Sequence, residues 1–133
     1  MIKGVAHVGI AVRSLEKALT FYRDGLGLTL VKLEDMPDEK ARAALLRIGE
    51  TQIELLAPLS TDTALARFIE QRGEGLHHVA LETDDAAKEL AAIRSRGVEL
   101  RVDEPRRGLN GLVFFLPPKA MRGVLVEVEE PLE

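Results

Sequence analysis

Cysteine and tryptophan are absent from the chain, tyrosine occurs once and phenylalanine four times. Without a thiol there is no disulfide framework, no thiolate metal site and no cysteine nucleophile. Aromatic residues, at 4%, are too sparse for a base-stacking platform. A positive excess is missing as well. The formal net charge of −4 argues against a general nucleic-acid or anionic-membrane binder and leaves a local basic patch, with "RVDEPRRG" one candidate, for a phosphorylated small molecule. No stretch approaches the ~18 to 20 consecutive apolar residues of a membrane span. The apolar run in "MIKGVAHVGIAV" is too short for a secretory leader. The expected setting is therefore the cytoplasm, with neither nucleic acid nor membrane as partner.

The composition that remains is that of a soluble globular domain, 46% hydrophobic and 30% charged over 133 residues. Within it one unit recurs. "HVGIAVRSLEKALTFYRDGLGLTLV" starts at His7, and "HVALETDDAAKELAAIRSRGVELRV" starts at His78. Each begins with an alternating strand and continues through a capping residue, Ser14 in one and Asp84 or Asp85 in the other. An apolar-periodic helix of about 12 residues is predicted next, closed by glycine (Gly25 and Gly27; Gly97). Three strand-like runs follow each helix: "LTLVKLED", "ARAALLRIG" and "TQIELLAPL", then "VELRV", "GLVFFL" and "GVLVEVEE". Each half thus reads β-α-β-β-β. The expected organisation is a single domain over 1–133, with one module over about 1–58, a linker helix within about 59–75 and a second module over about 76–133.

Strand geometry turns the repeat into chemistry. Successive strand residues point to opposite faces, so His7 shares a face with Val5, Gly9 and Ala11, while Ala6, Val8, Ile10 and Val12 face the helix. In "LHHVALETDD", His78 goes with Ala80 and Glu82, and His77 with Val79 and Leu81. His78 is therefore the counterpart of His7, and His77 is expected to pack structurally. The last strand of each half adds a carboxylate between apolar neighbours, Glu54 in "QIELL" and Glu127 in "LVEVE". Forty-seven residues separate His7 from Glu54 and 49 separate His78 from Glu127. One histidine and one glutamate per half make the donor set of a divided metal site. Imidazole and carboxylate without sulfur suit one divalent ion among Zn, Ni, Co, Mn and Mg, with positions left open for water or substrate. "GEGLHH" and "RRGLNG" lack the lysine and the context of phosphate loops and read as turns.

With these residues in place the chain resembles the vicinal oxygen chelate superfamily, which includes the glyoxalases, and within it the methylmalonyl-CoA epimerases. The carrying stretches are "HVGIAVRSLEKALTFYRDGLGL", "IGETQIELLAPLSTDTALARFIEQRGEGLHHVALETDD" and "GVLVEVEE". The resemblance implies an α+β fold in which two tandem βαβββ modules form a cupped, barrel-like mixed sheet around a metal site. It implies His7, Glu54, His78 and Glu127 as ligands, Glu127 also as catalytic base, a CoA thioester as substrate and a homodimer. Pro117 stands where the family often has the histidine of a His-Pro-Lys run, and Lys119, which that run retains, is a candidate substrate contact. A third-strand glutamate that serves some members as the opposing base falls here on Ala43. The alternatives are a glyoxalase I, with the same donor types, and a non-catalytic small-molecule-binding member of the superfamily.

Overall fold

Each half folds in the expected order of strand, helix and three strands. The structure, a computed structural model, describes residues 1–132. Its elements are β1 Ile2–Ala11, α1 Leu15–Leu19, β2 Thr29–Met36, β3 Ala41–Ile48, β4 Thr51–Pro58, α2 Ala64–Arg72, β5 Gly75–Thr83, α3 Ala86–Ser95, β6 Arg106–Arg107, β7 Gly111–Leu116 and β8 Val126–Pro131. The class is α+β with a mixed sheet: β1–β4 and β5–β8 pair parallel, while β2–β3, β3–β4, β6–β7 and β7–β8 pair antiparallel. None of the helices described is long and apolar enough to cross a membrane.

Tertiary contacts group residues 7–77 into one unit, and residues 1–6 with those from His78 onward into another. In the first unit the strands run in the order β2-β3-β4-β1. Val12, Ala44, Leu46, Leu55 and Ala57 bury one face of that sheet against Leu15, Ala18 and Leu19 of α1, with Ile10 and Ile53 packed at the margin. This is the apolar alternation of β1 and β4 placed where the pleat requires it. Ser14 caps α1, its hydroxyl accepting from the Lys17 N–H at 3.2 Å. The helix keeps α winding for only five residues, then runs as a π-helix over Thr20–Gly25. The Leu26 N–H donating to the Phe21 carbonyl at 2.8 Å is the five-residue step of that wider turn. The expected continuous α-helix is thus corrected to an α-to-π segment, closed near the expected glycines. Thr63 caps α2 through the Ala66 N–H at 3.0 Å.

In the second unit the order is β1-β5-β8-β7-β6. Phe114, Leu116, Val126 and Val128 bury the sheet against Ala86 and Leu90 of α3, with Val79 and Leu81 alongside. Asp85 is the N-cap, accepting from the Lys88 N–H at 3.0 Å. The Ala86 N–H donates to the Glu130 carboxylate of β8 at 2.8 Å, which fixes the start of α3 on the sheet. Gly111 opens β7 under constraint, because a Cβ there would lie 2.0 Å from the Glu130 carbonyl oxygen.

"VELRV" is not a strand, contrary to the pattern. Val98 and Leu100 pack onto the α3 cluster from irregular chain. The edge strand forms later, at Arg106–Arg107, inside the run expected to be a turn. Alternating apolar residues report burial of side chains, whereas a strand also requires a backbone partner, and only 106–107 finds one in β7.

Candidate metal centre

Residues paired directly across neighbouring strands share a face of the sheet, so the register alone sorts the site. In the unit spanning residues 7–77, His7 pairs with Gln52, Gly9 with Glu54 and Ala11 with Leu56. Across β3, Glu54 pairs with Leu45 and Leu56 with Ala43. His7, Gly9, Glu54, Leu45 and Ala43 therefore lie on the face opposite the α1 core. His7 and Glu54 are both buried, with His7 Nε2 3.5 Å from Glu54 Oε1.

The second unit repeats the arrangement. Ala80 pairs with Glu127 across β5–β8, and Glu127 pairs with Phe115 across β7, on the face turned away from α3. His78 and Glu127 are buried, and His78 Nε2 lies 3.1 Å from Glu127 Oε1. The edge of the His78 ring meets Phe115, centroids 6.2 Å apart and planes at 80°. Each half thus brings its own histidine and glutamate together.

The donor chemistry fits a divalent ion. Metal–nitrogen and metal–oxygen bonds of ~2.0 to 2.2 Å place neighbouring donors in one shell roughly 3.0 to 3.5 Å apart, the separation found within each pair. His7, Glu54 and His78 are buried, and each offers one ligand atom. Burial removes water from these groups, and burying a carboxylate is costly unless a cation or hydrogen-bond donors compensate it.

His77 goes elsewhere, as the face count requires. It meets Phe68 of α2 edge-on, centroids 4.7 Å apart. Ala43 is fully buried between Leu56 and Glu34 and carries nothing that can titrate. Lys119 lies in the turn after β7 and lines a cleft of about 400 Å3 with Gly97, Val98, Glu99, Arg101, Pro117 and Ala120. Val98 in that lining packs on the α3 cluster, whereas His78 and Glu127 lie on the opposite face of the sheet.

Two side chains near the pair escaped the sequence reading. Phe115 is the backbone partner of Glu127 and the ring neighbour of His78. Arg106, on β6, reaches over Phe115 with its guanidinium carbon 5.9 Å from the ring centroid. The alternation in "GLVFFL" could have placed Phe115 opposite Phe114. Nothing local could have paired Arg106 with β7.

Residues 4–128 match the model of the Glyoxalase/Bleomycin resistance protein/Dioxygenase superfamily. The chain is 36% identical to the ethylmalonyl-CoA/methylmalonyl-CoA epimerase of Cereibacter sphaeroides, over 98% of this chain and 99% of that one. It is 38% identical to the methylmalonyl-CoA epimerase of Mycobacterium tuberculosis, whose crystal structure superposes with a TM-score of 0.94 over 99% of this chain and 90% of that one. A methylmalonyl-CoA epimerase solved in complex with methylmalonyl-CoA and NH4+ is 36% identical, with a TM-score of 0.91, covering 96% of this chain and 94% of that one. Similarity to the lactoylglutathione lyase of Arabidopsis thaliana is weaker, 26% over 111 residues, 83% of this chain and 38% of the lyase.

Proposed function

The chain belongs to the Glyoxalase/Bleomycin resistance protein/Dioxygenase superfamily, and on that premise we propose that it is a metal-dependent methylmalonyl-CoA epimerase. The observation that carries this reading is the buried histidine–glutamate pair repeated in each half, in a chain whose relatives at 36% and 38% identity are epimerases of this substrate class. His7, Glu54, His78 and Glu127 are assigned to one divalent ion. The donor types suit Co, Mn, Zn, Ni or Mg.

The proton removed in epimerisation sits on C2, between the thioester carbonyl and the free carboxylate of the acyl group. A divalent cation held by these residues supplies Lewis acidity to the oxygens that flank C2. His7 and His78 contribute neutral nitrogen donors. Glu54 and Glu127 contribute two negative charges, which match those of the ion and leave the donor set near neutrality. Glu127 is assigned a second task, taking the C2 proton on its carboxylate. Inversion needs a proton delivered from the other face of C2, and Ala43 cannot deliver it, so a residue or water other than position 43 completes the exchange. Lys119 is retained as an outer contact for the CoA portion. A homodimer in the cytoplasm is the assembly and setting that accompany this reading.

The direct test is deuterium exchange at C2 of methylmalonyl-CoA by metal-loaded protein, run beside turnover of methylglyoxal with glutathione. Exchange without glyoxalase turnover is expected. Absence of exchange with a stoichiometrically bound divalent metal would sink the epimerase assignment.

A further inference from the structure

β6 is two residues long, and both are arginine. Its register with β7 separates them. Arg106 pairs with Val113 and Arg107 with Leu112. Leu112 packs on the α3 cluster, so Arg107 belongs to the α3 face of the sheet. Val113 pairs with Glu129 and lies two residues from Phe115, the partner of Glu127, so Arg106 belongs to the face that carries His78 and Glu127. Its guanidinium sits over the Phe115 ring, which also meets the His78 imidazole edge-on. One aromatic ring thus separates a permanently charged, planar fork of N–H donors from the histidine–glutamate pair.

From this placement, and resting on the epimerase reading above, we propose that Arg106 recognises the free carboxylate of the acyl group and selects a dicarboxylic acyl-CoA over a monocarboxylic one. The charge balance calls for such a group. Two ligand carboxylates offset a divalent ion, so an incoming substrate carboxylate leaves the site with a net negative charge. Transfer of the C2 proton to Glu127 leaves that net charge unchanged but moves negative charge onto the acyl group. A guanidinium matches a carboxylate in two parallel hydrogen bonds and holds its charge at any working pH. Arg106 is exposed at the sheet edge, where a ligand can reach it, and its position over the Phe115 ring limits the directions in which the fork can aim.

The test is calorimetric titration of metal-loaded wild type, Arg106→Gln, Arg106→Lys and Arg107→Gln with methylmalonyl-CoA, propionyl-CoA and CoA. Arg107→Gln removes the same charge one residue away on the opposite face and serves as the control. Wild type is expected to prefer methylmalonyl-CoA over propionyl-CoA. Loss of a charge-assisted hydrogen-bonded pair in Arg106→Gln is expected to erase roughly 10- to 100-fold of that preference while propionyl-CoA and CoA bind as before. Arg106→Lys keeps part of it, as a point charge without the fork, and carries the test if the glutamine variant does not fold. Arg107→Gln matches wild type.

Equal weakening of all three ligands would assign the guanidinium to the CoA phosphates and overturn the proposal. So would an Arg107→Gln loss as large as that of Arg106→Gln. A lowered melting temperature with the preference intact would mean that Arg106 only balances Glu129 across Val113, and would overturn it too. The epimerase reading fails separately, on a wild type that binds methylmalonyl-CoA yet leaves its C2 proton unexchanged.

Discussion

In the half built from residues 7–77, Glu54 faces Leu45 across β3, and the next pair on that face joins Ala43 to Glu34 of the edge strand. In the other half, Glu127 faces Phe115 across β7, and the equivalent pair joins Val113 to Arg106. The candidate ligand positions repeat residue for residue, while the edge position changes sign from carboxylate to guanidinium. Glu34 is exposed and sits 3.4 Å from Lys32 on its own strand, whereas Arg106 lies over an aromatic ring that touches a ligand candidate. Each half thus carries one buried histidine–glutamate pair, the donor pair assigned above to the proposed ion. Under the proposal for Arg106, this difference at the edges is what would fit one side to an asymmetric substrate with a single free carboxylate.

The strongest way to break this comparison is to treat the halves as unequal at the ligands. His7→Ala and His78→Ala should each lower divalent-metal affinity by more than the roughly 10- to 100-fold typical of losing a supporting group around a metal, and each should abolish metal-dependent C2 exchange. Metal content after dialysis and the exchange rate check this together. If one histidine proves dispensable, the donor set is not shared equally and the repeat has misled.

Next in size is the contrast at the edges. Glu34→Gln should leave the preference for methylmalonyl-CoA over propionyl-CoA within about twofold of wild type, far less than the change expected at Arg106 and in line with a solvent-exposed ion pair of little energetic weight. A Glu34 effect equal to that of Arg106 in competition binding would erase the asymmetry.

His77→Ala sharpens the distinction within the histidine pair. Loss of its edge contact with Phe68 should cost about 1 kcal/mol of stability in denaturant unfolding while metal stoichiometry stays at the wild-type value. Reduced metal binding would return His77 to the site.

The smallest effects compare the two helix starts. Ser14→Ala and Asp85→Ala each remove one cap hydrogen bond and should each destabilise by about 1 kcal/mol. Asp85 should be the less sensitive of the two, because Glu130 also satisfies the Ala86 N–H. A larger loss at Asp85, measured in urea, would show that the Glu130 contact does not share the capping.

Local pattern was enough for much of this. Period-two alternation separated His78 from His77 and set Glu54 and Glu127 apart from their apolar neighbours. The caps at Ser14 and Asp85 and the order of elements were legible because each depends on residues within a turn of one another. The pattern failed where the backbone's partner lies far along the chain. "VELRV" alternates like a strand but has only side chains to bury, and Val98 and Leu100 do so without pairing. The α-to-π change after Leu19 was equally hidden, since apolar spacing alone does not reveal a one-residue shift in helical hydrogen bonding.

What the sequence by itself determined is therefore the set of metal-capable side chains and the face each presents, because one residue of strand slip would turn every one of them over. Only the tertiary structure decided which arginine of the Arg106–Arg107 pair shares that face. A two-residue edge strand is too short to carry a pattern of its own, and its orientation comes entirely from the hydrogen-bond register with β7.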